Sequence, residues 1–397
     1  MSKITRFWPL LPAILLAAVA GSNSVSNVFK RSSPELAIAA WPGQAVAYNS
    51  IADRFGETQK PSQAQLRRSV SAARNALAIE PSNARALRTM GLLAERKAVD
   101  LDPKRLMSLA SRYSRRDLAT QIWLIQDAAK RRDYAAVVSH GDAALRTNEG
   151  SRKLILPVFA AALADPNMAP PIAARLRRPT TDWAQHFWAT VPKTPQSFSN
   201  VPALLRSLKA TNALPDPGLL ADIVAAMISR GQLAIAADTV EAALPGKNII
   251  VRSGMNDRQF APGKGPAPFE WQYVETGQLD AKPVRDGGLF IDVSRSGGGM
   301  VGRRLLALRP GLYTLRAEIK AEDAPQKEVP FIRLRCAEGR TARDFAFTND
   351  KGRLLVNSKV DVAPECRFQW LELQSPAVER IDIRSSELVH LEIRRAS

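Results

Sequence analysis

ARNALAIEPSNARALRTMG, residues Ala73–Gly91, decides how the first half of this chain folds. Apolar residues at helical spacing predict a helix ending at Glu80, where Pro81 stops it. Ser82 or Asn83 then caps a second helix. Small residues at Ala86 and Gly91 let two helices approach closely. The same phrase recurs upstream as PELAIAAWPGQAVA (34–47), offset by about 39 residues, and downstream as LMSLASRYSRRDLA (106–119), offset by about 33. A repeat of 33 to 34 residues fits both, provided that a longer loop such as Gly56–Ser62 separates the first pair. Further helices are expected over Asp133–Arg146, Arg152–Ala164, Ala169–Arg178, Trp183–Thr190, Pro202–Thr211, Pro217–Arg230 and Leu233–Leu244. Such an array presents an extended surface of the kind that holds another chain.

Near residue 247 the periodicity changes. Alternation of period two appears over Leu289–Val293, Tyr313–Lys320, Phe331–Cys336, Phe368–Leu373, Arg380–Ile383 and Leu388–Ile393, separated by turns such as Arg309–Gly311, Asp286–Gly288 and Asn349–Gly352. Strands with one wet face need a second sheet over the dry one, so seven or eight antiparallel strands predict a sandwich. The expected fold class is thus α+β multidomain: an all-α helix-turn-helix repeat domain over 33–247, then an all-β sandwich over 248–397. A length of 397 residues suits more than one core.

The net charge of +18 is uneven: residues 1–247 hold 32 Lys/Arg against 18 Asp/Glu, and the remainder 24 against 20. An anionic partner for the helical half, or solubility, is implied. Residues 1–30 argue against nucleic acid, because Lys3 and Arg6 precede an apolar stretch from Phe7 to Ala20 that ends in the A-x-A pattern Ala18–Ala20. This reads as a cleaved signal peptide or as an anchor retained through residues 4–28, either of which sends the bulk of the chain to the periplasm, or else as a buried N-terminal helix of a cytosolic protein. The two cysteines, Cys336 and Cys366, are candidates for a disulfide there, or are two unrelated core thiols. With no CxxC and only His140, His186 and His390, no metal site is expected.

Three basic clusters mark the helical half: Arg112, Arg115 and Arg116; Lys130, Arg131 and Arg132; and Arg175, Arg177 and Arg178. They read as an anionic-partner surface if they share a face, or as solvated helix ends. Trp41, Trp123, Trp183 and Trp188 fall at apolar helical positions and are expected in the core. No aromatic interleaving suited to stacking bases is present.

The Ala-Leu phrase before Pro81 and Asn83 resembles the tetratricopeptide repeat. The C-terminal half, through Ser253–Phe260, Pro268–Trp271, Leu305–Leu315 and the closing strand Glu387–Ile393, resembles jelly-roll modules related to carbohydrate-binding domains. That likeness implies a glycan role for Trp271 and Tyr273, with Glu270 nearby, against a structural plug at the sandwich end. The wider opening spacing departs from the module's usual entry. Trp370 shares a face with Phe368 that reads as core. The stretches Ser296–Gly302 and Gly263–Gly265 lack a phosphate loop's Lys-Ser/Thr ending and read as hairpin turns. No nucleophile elbow or zinc signature occurs, so no enzyme activity and no cofactor is expected. Taken together the chain resembles repeat-plus-sandwich proteins of alpha-proteobacterial envelopes, some linked to exopolysaccharide production or export. The resemblance implies a non-catalytic scaffold docking protein partners, or alternatively a module binding polysaccharide.

Overall fold

A computed structural model describes residues 10–56, 60–179, 181–209, 213–261, 263–276, 278–293, 298–321, 328–339, 341–377 and 384–396. Lys3, Arg6, the predicted strand Arg380–Ile383, Ser296 and Gly297, and residues 57–59 of the expected loop lie outside them. The chain is α+β, with helices first and antiparallel sheets after. It divides into two compact units, Met1–Ile155 and Leu156–Ser397.

The first unit holds α1 (Leu10–Phe29), α2 (Pro34–Ala40), α3 (Ala45–Gly56), α4 (Gln63–Ile79), α5 (Ala84–Glu95), α6 (Pro103–Tyr113), α7 (Leu118–Lys130) and α8 (Tyr134–Thr147); α9 (Arg152–Ala162) carries the division. Helix ends at Ala40, Ile79, Tyr113 and Thr147 are followed each time by an extended residue and a short turn before the next helix. The starts at Ala45, Ala84, Leu118 and Arg152 therefore step by 39, then 34, then 34 residues. Local chemistry explains the boundaries. The Ser62 side chain accepts from Gln65 N at 3.2 Å while Gln65 Oε1 accepts from Ser62 N at 2.7 Å, a reciprocal cap that starts α4. Asn83 Oδ1 accepts from Ala86 N at 3.0 Å and starts α5, so of the two expected caps Asn83 serves. Gly91 allows close approach as expected: a Cβ there would lie 3.1 Å from Met107 Cε, and Met107 is fully buried against it.

Helix α1 is the one helix among the described residues long and apolar enough to cross a membrane. Pro12–Phe29 contains no Asp, Glu, Lys or Arg, and Ile14, Leu15 and Leu16 are each about two-thirds exposed. Its 20 residues span about 30 Å, near the thickness of a bilayer's hydrocarbon core.

The second unit begins with α10 (Ala169–Leu176), α11 (Ala184–Trp188), α12 (Val201–Ser207), α13 (Pro217–Ile228) and α14 (Leu233–Ala243). Phe159, Trp183, Phe187 and Trp188 pack edge to face in series, all fully buried, and Trp188 Nε1 donates to Ala213 O at 2.8 Å. Trp41 and Trp123, expected in the core, are instead half-buried. Trp123 Nε1 reaches Glu95 Oε2 at 2.8 Å, which keeps the ring at the surface.

The strands are β1 (Gly254–Asp257), β2 (Gln272–Tyr273), β3 (Leu279–Pro283), β4 (Leu289–Val293), β5 (Gly299–Leu306), β6 (Gly311–Ala321), β7 (Phe331–Cys336), β8 (Ala342–Phe345), β9 (Thr348–Asp350), β10 (Arg353–Val362), β11 (Gln369–Ser375) and β12 (Arg384–Arg395). One sheet runs β3-β4-β12-β6-β10-β9, with β1 also on β12; the other runs β2-β5-β11-β7-β8. Short edge strands raise the number above the seven or eight expected. Both sheets face one apolar core, in which Leu315, Ala317 and Ile319 of β6 meet Leu371 and Leu373 of β11. The Asn349–Gly352 turn holds as expected, with Lys351 and Gly352 at positive φ and Gly352 N donating to Asn349 Oδ1 at 3.0 Å.

Candidate functional site

Trp271 and Tyr273 flank the start of β2 and stack on one another, with ring centroids 6.0 Å apart and 10° between planes. Trp271 is 4% exposed, and its Nε1 donates to Asp257 Oδ2 at 2.8 Å. Tyr273, half-buried, donates its hydroxyl to Phe260 O at 2.6 Å. This corrects the sugar-stacking expectation for Trp271: the ring is buried, stacked on Tyr273 and packed at a tilt against Phe260. Glu270 takes part in the same structure. Arg304 sits between Glu270 Oε2 at 3.0 Å and Asp257 Oδ2 at 3.6 Å, and its Nε donates to Phe269 O at 3.0 Å. Burial raises the Glu270 carboxyl above its ordinary range, Arg304 opposes the rise, and Asp257 adds to it. Burial likewise drives the Tyr273 phenol upward, with Asp257 contributing. Gly263–Gly265 is a close approach rather than a hairpin, since a Cβ on Gly265 would fall 2.6 Å from Ile249 Cγ2.

Trp370 lies on the opposite face of β11 from Leu371 and Leu373, and it is buried there together with Phe368 and its cross-strand partner Leu305, in keeping with the reading of that face as core. The Arg303 guanidinium lies over the Trp370 ring at 4.7 Å. Across this outer face runs a row Gln272, Arg303, Glu372, Arg333 and Asp344, paired strand to strand. Its charges are matched within the sheet: Arg303 Nε to Gln272 Oε1 at 2.9 Å, Arg335 to Glu372 at 3.0 Å, and Arg333 doubly to Asp344 at 2.7 and 2.8 Å. The Arg333 pair is strong enough to hold Asp344 below the usual carboxylate range. A face so occupied with itself offers little to a ligand. At its edge Cys336 and Cys366 are joined, with Cα atoms 5.6 Å apart.

Arg112, Arg115 and Arg116 surround the start of α7, and Lys130, Arg131 and Arg132 its end, so about 20 Å of helix separates them. Arg131 pairs with Asp127 at 3.0 Å and Asp133 at 3.6 Å. Arg177, in the second unit, donates to Ser207 O.

The cations that do converge in the first unit were not among these runs. A groove of about 690 Å³ opens between α4 and the segment that follows α5. Helix α4 buries Leu66, Ser69, Ala72, Ala73 and Ala76 on one side, and Ser69 Oγ donates to Ala52 O at 2.7 Å to fix it on α3. The helix is thereby turned so that Arg67, Ser71 and Arg74 are exposed along the groove. Leu66, Val70, Ala98 and Val99 line it with aliphatic surface, and Lys97 and Leu101 stand opposite.

Sequence reasoning also missed a polar seam beside this groove's helices. Asp53 of α3 pairs with Arg85 and with Arg88 of α5, the latter at 2.9 Å; Arg88 reaches on to Asp117 at 2.8 Å, and Asp117 accepts from Thr120 Oγ1 at 2.6 Å. Asn49 Nδ2 donates to Asn83 Oδ1 at 3.0 Å in the same seam. The available signal was charge at near-repeat spacing inside apolar helices, as at Asp53 and Arg88, 35 residues apart. Among the described residues no group of three or more His, Cys, Asp or Glu could hold a metal ion. No protein-family model matches the chain, and no curated protein sequence matches it either.

Proposed function

We propose that the chain is a non-catalytic scaffold of the cell envelope, exported and held by α1, whose helical hairpins dock a protein partner. In this reading the hairpins are tetratricopeptide-like and the sheets a jelly-roll module, and the chain serves exopolysaccharide production or export. The observation that supports it is the groove on α4, where Arg67, Arg74 and Lys97 rim the aliphatic side chains of Val70, Ala98 and Val99. The 34-residue steps between helix starts support the repeat assignment. Burial of Trp271 and the internal hydrogen bond of Tyr273 weigh against the glycan reading.

The test is a crosslinking pull-down of the tagged full chain from envelope fractions, with protein and polysaccharide measured in the same eluate. The scaffold reading expects the same protein partners to be recovered by the chain lacking 248–397. Polysaccharide retained without protein, and lost with that truncation, overturns it in favour of a glycan-binding module.

A further inference from the structure

Arg67 and Arg74 stand seven residues apart on α4, about 10 Å along the axis, with Ser71 between them. Lys97 faces them from the far wall. Among the described residues no carboxylate lies within ion-pair distance of any of the three, and Asp100 is the single acid that lines the groove. The groove's rim therefore carries an excess of positive charge, which a negatively charged ligand would complement.

Lys97 owes its place on the far wall to the closure of α5. It follows the C-cap of α5 with φ 57°, its N–H bonding Ala94 O at 2.9 Å while Ala98 N bonds Leu93 O at 2.9 Å. That left-handed position closes a helix most comfortably with glycine, as Gly231 does after α13. A lysine there carries backbone strain at the wall of the groove, as Arg132 does in the same closure after α7.

The floor excludes some classes of ligand. Leu66, Val70 and Val99 present aliphatic surface without an aromatic ring, which suits aliphatic side chains and gives a sugar ring nothing to stack on. We infer that the groove holds an extended segment of a partner protein in which carboxylates three residues apart flank an aliphatic side chain. A polyproline II strand presents every third residue on one edge, about 9 Å apart, which matches the Arg67–Arg74 spacing. This rests on the docking reading above and adds the chemistry of what docks.

The probe is a fluorescein-labelled peptide repeating Glu-Leu-Pro, measured by anisotropy against the full chain in detergent, with the Gln-Leu-Pro repeat as control. The glutamate peptide is expected to bind at least about tenfold more tightly than the amide peptide, and the double variant Arg67→Glu, Arg74→Glu to abolish that preference. Lys97→Gly is expected to weaken binding by about threefold while raising the thermal midpoint, so that misfolding cannot account for the loss. Equal binding of both peptides, no binding of either, or binding indifferent to these variants would overturn the inference. So would saturable binding of alginate or of phosphatidylglycerol vesicles at the same residues with the peptide excluded, which would give the groove to a polysaccharide or a lipid surface. A photocrosslinker replacing Ser71 separates the two levels. Partner crosslinks unchanged by the double variant sink the acidic-segment inference and leave docking standing, whereas no crosslinks from any first-unit position sink docking itself.

Discussion

In the first unit Arg88 lies between Asp53 and Asp117; in the second, Arg304 lies between Asp257 and Glu270. Both guanidiniums are nearly buried, yet they do different things. Arg88 connects α3, α5 and the cap position of α7, every second helix of this stretch, through partners 35 and 29 residues away. Arg304 connects β1 to the loop before β2 and closes one end of a sandwich whose core is already apolar. Helices packed in series lack long-range sheet pairing, so a buried charge that spans them carries register. In the sandwich, strand pairing sets register, and the charge fills an end.

The sharpest way to break this comparison is Arg88→Met. Removing the cation takes the shared guanidinium from both carboxylates, leaving Asp53 with Arg85 and Asp117 with the Thr120 hydroxyl, and is expected to destabilise the first unit by about 4 kcal/mol. Hydrogen exchange should show lost protection across α3, α5 and α7 together; loss confined to α5 would refute the register role. Replacing Cys336 and Cys366 with serine frees a loop of 30 residues and is expected to cost the second unit about 3 kcal/mol in chemical denaturation. Arg304→Met should cost about 2 kcal/mol, less than Arg88, because the knot is more exposed and the sheets hold without it. A larger loss there than at Arg88 would invert the comparison.

Lys97→Gly is expected to raise first-unit stability by about 1 kcal/mol through relief of the left-handed backbone, read from the thermal midpoint. The smallest effect concerns pH. Glu270 holds its proton more tightly folded than unfolded, so its contribution is present in acid and fades as pH climbs from the ordinary carboxylate range through the raised value. Denaturation of Glu270→Gln should show a flatter second-unit profile across that window. An unchanged slope would place the titration elsewhere.

Residues 73–91 made the helical array legible because Pro81, Asn83 and Gly91 act within one or two turns. Strands with strict alternation, β4 and β7, were legible for the same reason. The groove was not. Its cations come from Arg67 and Arg74 on one helix and Lys97 beyond the next, while the conspicuous runs at 112–116 and 130–132 mark opposite ends of α7. Adjacency in sequence reports helix ends; convergence in space depends on which face α4 buries. Trp370 shows the same limit, since period-two alternation placed it on a face without revealing that Arg303 would cover it.

The turn between α1 and α2 is only Lys30–Ser33, and it is pinned: Lys30 Nζ donates to Asn27 Oδ1 at 3.1 Å, Ser50 Oγ to Lys30 O at 3.2 Å, and Ser33 N to Phe29 O at 2.9 Å. If α1 stands in a bilayer, the hairpins rise from it as from a mast rather than swing on a leash. Whatever they hold would then be met at one height and one heading, so the membrane itself would act as a ruler for assembly.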